Sequence, residues 1–291
     1  GGSLKTAIEI AGLFITEGPV VQVKYRGQDP IVKNDENPKM QWDGAVVVLV
    51  NELSASASEI FAAAMQDYGR AVIIGGNQTY GKGTVQSVIP INNFYPKYEK
   101  DLGAIKMTIQ KFYRVNGGST QIEGVYSDIA MPNKYSYMKF GERDLTGALI
   151  WDKVPQANYT KTNSYENFSD VINKSKNRIA LDEKFKLINE YAKWLKENQE
   201  DTSYSLNFKD FSKESALLEV ASKKYTNAFK NETKLNFESP KYEFSLIEKD
   251  SVLGDKRTAW HKNLAKDIYV AEALNVLKDL KLKNTTETVR N

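Results

Sequence analysis

The stretch from Ala45 to Ile74 constrains the fold most. Ala45-Val46-Val47-Val48-Leu49-Val50 is a continuous apolar, largely β-branched run, the pattern of a strand buried on both faces. After Asn51-Glu52-Leu53 comes Ser54-Ala55-Ser56-Ala57-Ser58-Glu59, then the Ala-rich segment Ile60-Phe61-Ala62-Ala63-Ala64-Met65. Small hydroxyl residues ahead of such a segment, with a glutamate shortly after, suit a helix N-terminus. Gly69 suits its end. Ala71-Val72-Ile73-Ile74 reads as a second buried strand, broken by Gly75-Gly76. Strand, sharp turn, helix and strand within about thirty residues form a βαβ unit of a parallel sheet, so the fold class is α/β.

The rest of the chain is arranged around this unit. Residues 4–14 place Ala7, Ile8, Ala11 and Leu13-Phe14 at near-helical spacing, directly after Gly1-Gly2. Val20 to Tyr25 is strand-like, Gly27 to Trp42 reads as a solvated loop, and Leu102 to Val125 is strand-like with a turn at Gly117-Gly118. Pro132 to about Tyr165 reads as irregular. Beyond Glu166 the sequence predicts charged amphipathic helices over Ala180–Asn198 and Ala265–Leu282. A length of 291 residues leads us to expect two units, with the boundary near 155–165: a core over 1–160 and a helical domain over 161–291.

Composition narrows the chemistry. The chain has no cysteine, which excludes thiol catalysis, disulfides and Cys-ligated zinc, and its single histidine, His261, stands in a polar stretch far from the βαβ unit. A Ser-His-Asp triad or a histidine metal site is therefore not expected, and no metal or cofactor is implied. A net charge of +3 is too small on this length to suggest a nucleic-acid binder, and no apolar run reaches the ~20 residues of a membrane span.

A small residue set at the top of a buried strand, opening a helix, is where α/β enzymes expose a nucleophile, and Ser56 stands there. The backbone N–H of Ala57 would then face a developing oxyanion. Serines that only cap a helix meet the same pattern, and locally Ser56 is not separated from Ser54 and Ser58. Lys82 adds weight, because Thr79-Tyr80-Gly81-Lys82-Gly83-Thr84-Val85-Gln86 flanks it with two glycines that permit close backbone approach. A lysine pressed inward loses solvation of its charged form and can serve as a general base, with the Gln86 amide oxygen holding its amine. Gly76 and Gly81-Lys82 also have phosphate-loop spacing, but Gly83 replaces the Ser or Thr that would ligate magnesium. Ser136-Tyr137-Met138-Lys139 matches Ser-x-x-Lys, yet it lies in a polar loop and no Lys-Thr-Gly accompanies it.

Residues 44–86, from Gly-Ala-Val-Val-Val-Leu-Val-Asn through Ser-Ala-Ser-Ala-Ser-Glu to Tyr-Gly-Lys-Gly-Thr-Val-Gln, resemble the catalytic core of the carboxy-terminal processing peptidases, tail-specific protease branch. Gly1-Gly2-Ser3-Leu4 resembles the glycine loop preceding that core, and Lys111–Arg114 through Gly124-Val125 resembles its later strands. The helical tail, beginning with Leu149-Ile150-Trp151-Asp152, resembles the additional C-terminal domain of that branch.

The resemblance implies a crotonase/ClpP-like serine protease core followed by a mainly α-helical C-terminal domain. It implies Ser56 as nucleophile, Lys82 as base, Gln86 orienting the lysine, and oxyanion contacts from Ala57 with Gly1 or Gly2. Asp67 is implied as a supporting residue; the residues themselves suggest a structural role, paired with Arg70 or capping a loop. The segment from Gly75 to Gly81 is one residue longer than the family's usual one. The implied substrates are partly unfolded or tagged polypeptides with accessible C-termini, with an adaptor protein or self-association as further partners and no nucleic acid. The implied location is the bacterial periplasm or envelope. A PDZ domain and the first part of the core are expected upstream, so the chain reads as a piece of a longer precursor. Two other classes remain: a non-catalytic binding or scaffold protein on the same fold, and an acyl-CoA enzyme sharing the architecture.

Overall fold

In the computed structural model the described residues are 1–162, 168–232 and 235–288, the side chains beyond 281 excepted. They form two units, Gly1–Ala130 with Lys139–Phe168, and Met131–Met138 with Ser169–Asn291. The stretch expected to be irregular, and the expected boundary, run into residues 163–167, outside the described residues.

The first unit begins with α1 (Leu4–Gly12), started by the Ser3 hydroxyl, which accepts from Thr6 N–H at 3.3 Å. Strands β1 (Gly18–Tyr25) and β2 (Ile31–Asp35) pair antiparallel. β2 occupies a segment expected to be a loop. Four of its five residues face solvent, so no apolar alternation marks it. Strand β3 (Val47–Val50), helix α2 (Ala57–Asp67) and strand β4 (Val72–Gly75) form the expected parallel βαβ unit, with Val47 opposite Val72 and Val50 opposite Gly75. β4 is buried throughout. β3 is not buried on both faces as its run suggested: it is the edge of a three-stranded sheet, β3-β4-β7, with β7 at Ile129–Ala130, and Leu49 is 44% exposed.

The second sheet has the order β2-β1-β6-β5, with β5 at Thr84–Pro90 and β6 at Ala104–Tyr113. β5 falls where the sequence suggested only a glycine loop. The strand expected to reach Val125 ends at Tyr113, where Arg114 N–H bonds Gly118 O at 2.8 Å and turns the chain. The core lies around α2. Ala62, Ala63, Ala64 and Met65 pack with Ala7 and Ala11 of α1 and with Val20, Val21 and Val23 of β1. Small side chains let the helices approach closely, and each fully buried aliphatic such as Ile73 contributes about 1.5–3 kcal/mol.

The second unit is helical: α3 (Ser169–Leu181), α4 (Glu183–Glu200), α5 (Phe208–Lys223), α6 (Lys241–Lys249), α7 (Ser251–Lys266) and α8 (Ile268–Thr288). The two expected helices are each broken by an aspartate. Asp182 caps α4 by accepting from Lys184 N–H, and Asp267 accepts from Tyr269 N–H at 2.7 Å at the start of α8. Arg178 of α3 joins Glu272 and Asp279 of α8, each at 2.7 Å. Among the described residues no helix is long and apolar enough to cross a membrane.

Candidate active site

Ser56 is the N-cap of α2 and has φ 61° and ψ −118°, a conformation L residues rarely adopt. Such strain is of order 1–3 kcal/mol and persists only where the surroundings over-determine it. Here they do, because Glu59 is fully buried and its carboxylate reaches back to the Ser56 N–H at 2.7 Å. The neighbouring serines are occupied: Ser54 Oγ accepts from Asn51 N–H, and Ser58 Oγ donates to Ala55 O.

Glu59 also organises the lysine loop. Its Oε1 accepts from the Thr79 hydroxyl at 2.6 Å and from Gly81 N–H at 2.7 Å, while Oε2, which holds Ser56, also accepts from Lys82 N–H at 2.9 Å. Four donors converge on one carboxylate, so the amides of Ser56 and Lys82 share an oxygen. Burial pushes the Glu59 carboxyl up from its ordinary value, against these four hydrogen bonds, which favour the ionised form.

The far side of the loop is braced by residues 121–122 and 142–143. Gly83 N–H donates to Gln121 Oε1 at 2.9 Å, and Ile122 N–H donates to Gly81 O at 2.8 Å. Ile122 itself has φ 69°, an outlier for a β-branched residue. A Cβ at Gly81 would lie 2.6 Å from Ile122 O, and one at Gly83 2.5 Å from Gln121 N, so both glycines permit this approach. The Arg143 guanidinium donates to the carbonyls of Thr79, Tyr80 and Ile122.

Ser56, Lys82 and Gln86 line one cavity of about 480 Å³, together with Gly1, Gly2 and Ala57. Its apolar wall is Leu4, Ile60, Val85 and Phe112. The structure thus brings together the residues singled out in sequence, except Asp67. Among the described residues no hydrogen bond joins the side chains of Ser56, Lys82 and Gln86, so the expected Gln86–Lys82 contact is not made. Lys82 is half-buried and Gln86 exposed. Asp67, at the other end of α2, pairs with Arg114 at 2.6 Å and Asn116 at 2.8 Å, not with Arg70. Arg70 instead donates to the carbonyls of Phe14, Trp42 and Gly44. His261 lies on α7 in the helical unit, and Ser136 Oγ caps its own turn by accepting from Asn133 N–H. No metal-binding cluster occurs among the described residues.

Sequence reasoning took Glu59 only as a helix-start residue. The signal that finds it is the spacing Ser-x-x-Glu over Ser56–Glu59, whose glutamate reaches the N-cap amide. Its reach to Gly81 and Lys82 has no sequence signature.

Residues 1–131 match peptidase family S41, and residues 135–282 match the family described as the C-terminal domain of tail specific protease. Among curated proteins, the tail-specific protease of Haemophilus influenzae is 46% identical over 213 residues, 72% of this chain and 30% of that protein. The carboxy-terminal-processing protease of Bartonella bacilliformis is 36% identical over 154 residues, 50% of this chain and 33% of that protein. The chain thus spans about a third of the length of these relatives. Among solved structures, the photosystem II D1 C-terminal processing protease aligns with TM-score 0.39 at 24% identity, over 45% of this chain and 32% of that one.

Proposed function

Because the chain belongs to the tail-specific protease branch of peptidase family S41, we propose that it carries the Ser-Lys site of an endopeptidase, with Ser56 as nucleophile and Lys82 as general base. The observation that carries this reading is the shared cavity. A strained serine at a helix start and a lysine on a braced loop open into it, and one buried carboxylate fastens the backbone of both.

In the proposed reaction Ser56 Oγ attacks the scissile carbonyl carbon as its proton passes to the neutral Lys82 amine. The oxyanion is received by backbone N–H groups, that of Ala57 together with Gly1 or Gly2. Collapse breaks the C–N bond, and Lys82 returns the proton to the departing amine. Water, deprotonated by Lys82, then attacks the acyl-serine carbonyl; the C–Oγ bond breaks, Lys82 gives the proton back to Ser56 Oγ, and the new C-terminal acid leaves as its carboxylate. Gln86, on the same cavity wall, orients the amine once substrate fills the site.

The substrates we propose are partly unfolded polypeptides of the bacterial envelope, cut near their C-termini; the names the relatives carry support the C-terminal cut. The test is cleavage of an unfolded polypeptide by the full-length protein. Ser56→Ala and Lys82→Ala should each abolish it, and persistence in either variant overturns the mechanism. A non-catalytic scaffold is favoured by one observation, the lack of a Ser56–Lys82 hydrogen bond among the described residues. Inactivity of the unmodified full-length protein would support it.

A further inference from the structure

The cavity that holds Ser56 and Lys82 has a second lysine in its lining. Lys106 of β6 lines it, whereas no aspartate or glutamate is among its described lining residues. Lys106 is exposed and makes no ion pair among the described residues. Its position follows from the ladder. It stands opposite Val88, and Gln86 stands opposite Thr108, two residues along β6. Lys106 and Thr108 project to one face of the sheet, and across the ladder this is the face of Gln86, which lines the same cavity. Phe112, further along β6, lines the same cavity.

From these positions we infer that Lys106 determines specificity by pairing with a carboxylate of the bound polypeptide. The inference rests on the peptidase reading of the site. Lys82 has to shed its proton to act as a base and cannot also serve as a fixed positive partner, so the cavity's anion-recognising group is Lys106. Thr84, which lines the cavity with Ser56 and Lys82, lies four residues from Val88, the partner of Lys106; that is about 13 Å of strand. An extended substrate covers this span with about four residues, so the recognised carboxylate belongs about that far from the scissile bond. Two sources offer the same chemistry: an Asp or Glu side chain, or the polypeptide's own C-terminal carboxylate.

The test uses full-length protein and short peptides that carry Glu or Gln about four residues from the cut, each with a free or amidated C-terminus. The expected result is a preference in kcat/KM for the carboxylate peptide of about two- to fivefold, the range of a partly exposed ion pair, carried by KM and weakened by salt. Lys106→Ala should remove the preference, and Lys106→Glu should reverse it in favour of a Lys-bearing peptide. A preference that survives amidation assigns the side chain, and one lost on amidation assigns the terminus. No preference in the unmodified protein, or one that persists in Lys106→Ala, overturns the inference. The same peptides measured for binding to Ser56→Ala protein read Lys106 without the chemistry. Residual cleavage by Ser56→Ala would therefore sink the nucleophile assignment and leave the Lys106 comparison standing.

Discussion

Replacing Glu59 by Gln measures how much of the site hangs on one side chain. All four of its partners are donors: the Ser56 and Lys82 amides on Oε2, and the Gly81 amide and Thr79 hydroxyl on Oε1. An ionised carboxylate accepts from all four, whereas a carboxamide has one oxygen and turns an NH2 toward the other pair. In one orientation the amides of Ser56 and Lys82 are stranded. In the other the Gly81 amide is stranded, and the Thr79 hydroxyl must turn to accept. One or two buried donors are therefore lost, at about 1–3 kcal/mol each. Part of this is offset because the substituted carboxamide bears no charge for burial to disfavour. The net loss is about 1–4 kcal/mol, a large fraction of the ~5–15 kcal/mol by which domains are stable. Urea unfolding of Glu59→Gln should show a lower midpoint with an unchanged slope, and Glu59→Leu, with no acceptor at all, should lose more. A Glu59→Gln protein within about 0.5 kcal/mol of wild type would refute the reasoning, since that is the scatter of an inconsequential surface change.

Ser56→Gly should remove cleavage yet raise the unfolding midpoint relative to Ser56→Ala, because glycine adopts φ 61° without strain; equal midpoints would show that the serine backbone is not strained. Asp67→Ala leaves Arg114, whose side chain is 16% exposed, without its bidentate partner, and should lower stability by about 3–5 kcal/mol in denaturant titration. Tyr68 and Tyr113 should ionise late in an ultraviolet tyrosinate titration, both held up to about 12 chiefly by burial, with Asp152 adding to the effect on Tyr113. Their folded pKa values exceed the unfolded value of about 10, so their stabilising contribution is complete below about pH 10 and is lost as pH rises toward 12. Replacing both by Phe should shrink the late component, leaving Tyr80 and Tyr159, which burial also holds above the ordinary value.

What was legible in the sequence was local. The unit β3–α2–β4 announces itself because its strand runs, its alanines and its terminal glycine each report a physical requirement of neighbours close in sequence. The glycines around Lys82 likewise signalled close approach, although not that Ile122 and Gln121 would be the surfaces approached. β2 was hidden because most of its residues face water, and β5 because its strand begins directly after a glycine loop. The aspartates at 182 and 267 looked like solvated helix residues, since a side chain that caps its own backbone leaves no mark on hydrophobic periodicity. Asp67 reads in sequence as a partner of Arg70 or a loop cap; its partners are Arg114 and Asn116, 47 and 49 residues distant, on the turn after β6. Glu59 is the instructive case: its capping spacing is readable, but its grip on the lysine loop is a tertiary fact.

The two sheets give that grip a mechanical meaning. Ser56 follows β3 of one sheet, while the lysine loop leaves β4 of that same sheet and delivers Lys82 to β5 of the other. The site therefore lies on a seam, and any slippage between the sheets would be felt first as a change in the gap between serine and lysine. The Glu59 carboxylate is a stay across this seam, tying the root of the nucleophile to the root of the base. Hydrogen exchange at the Ser56, Gly81 and Lys82 amides would report its tension directly, because all three open only when that one anchor lets go.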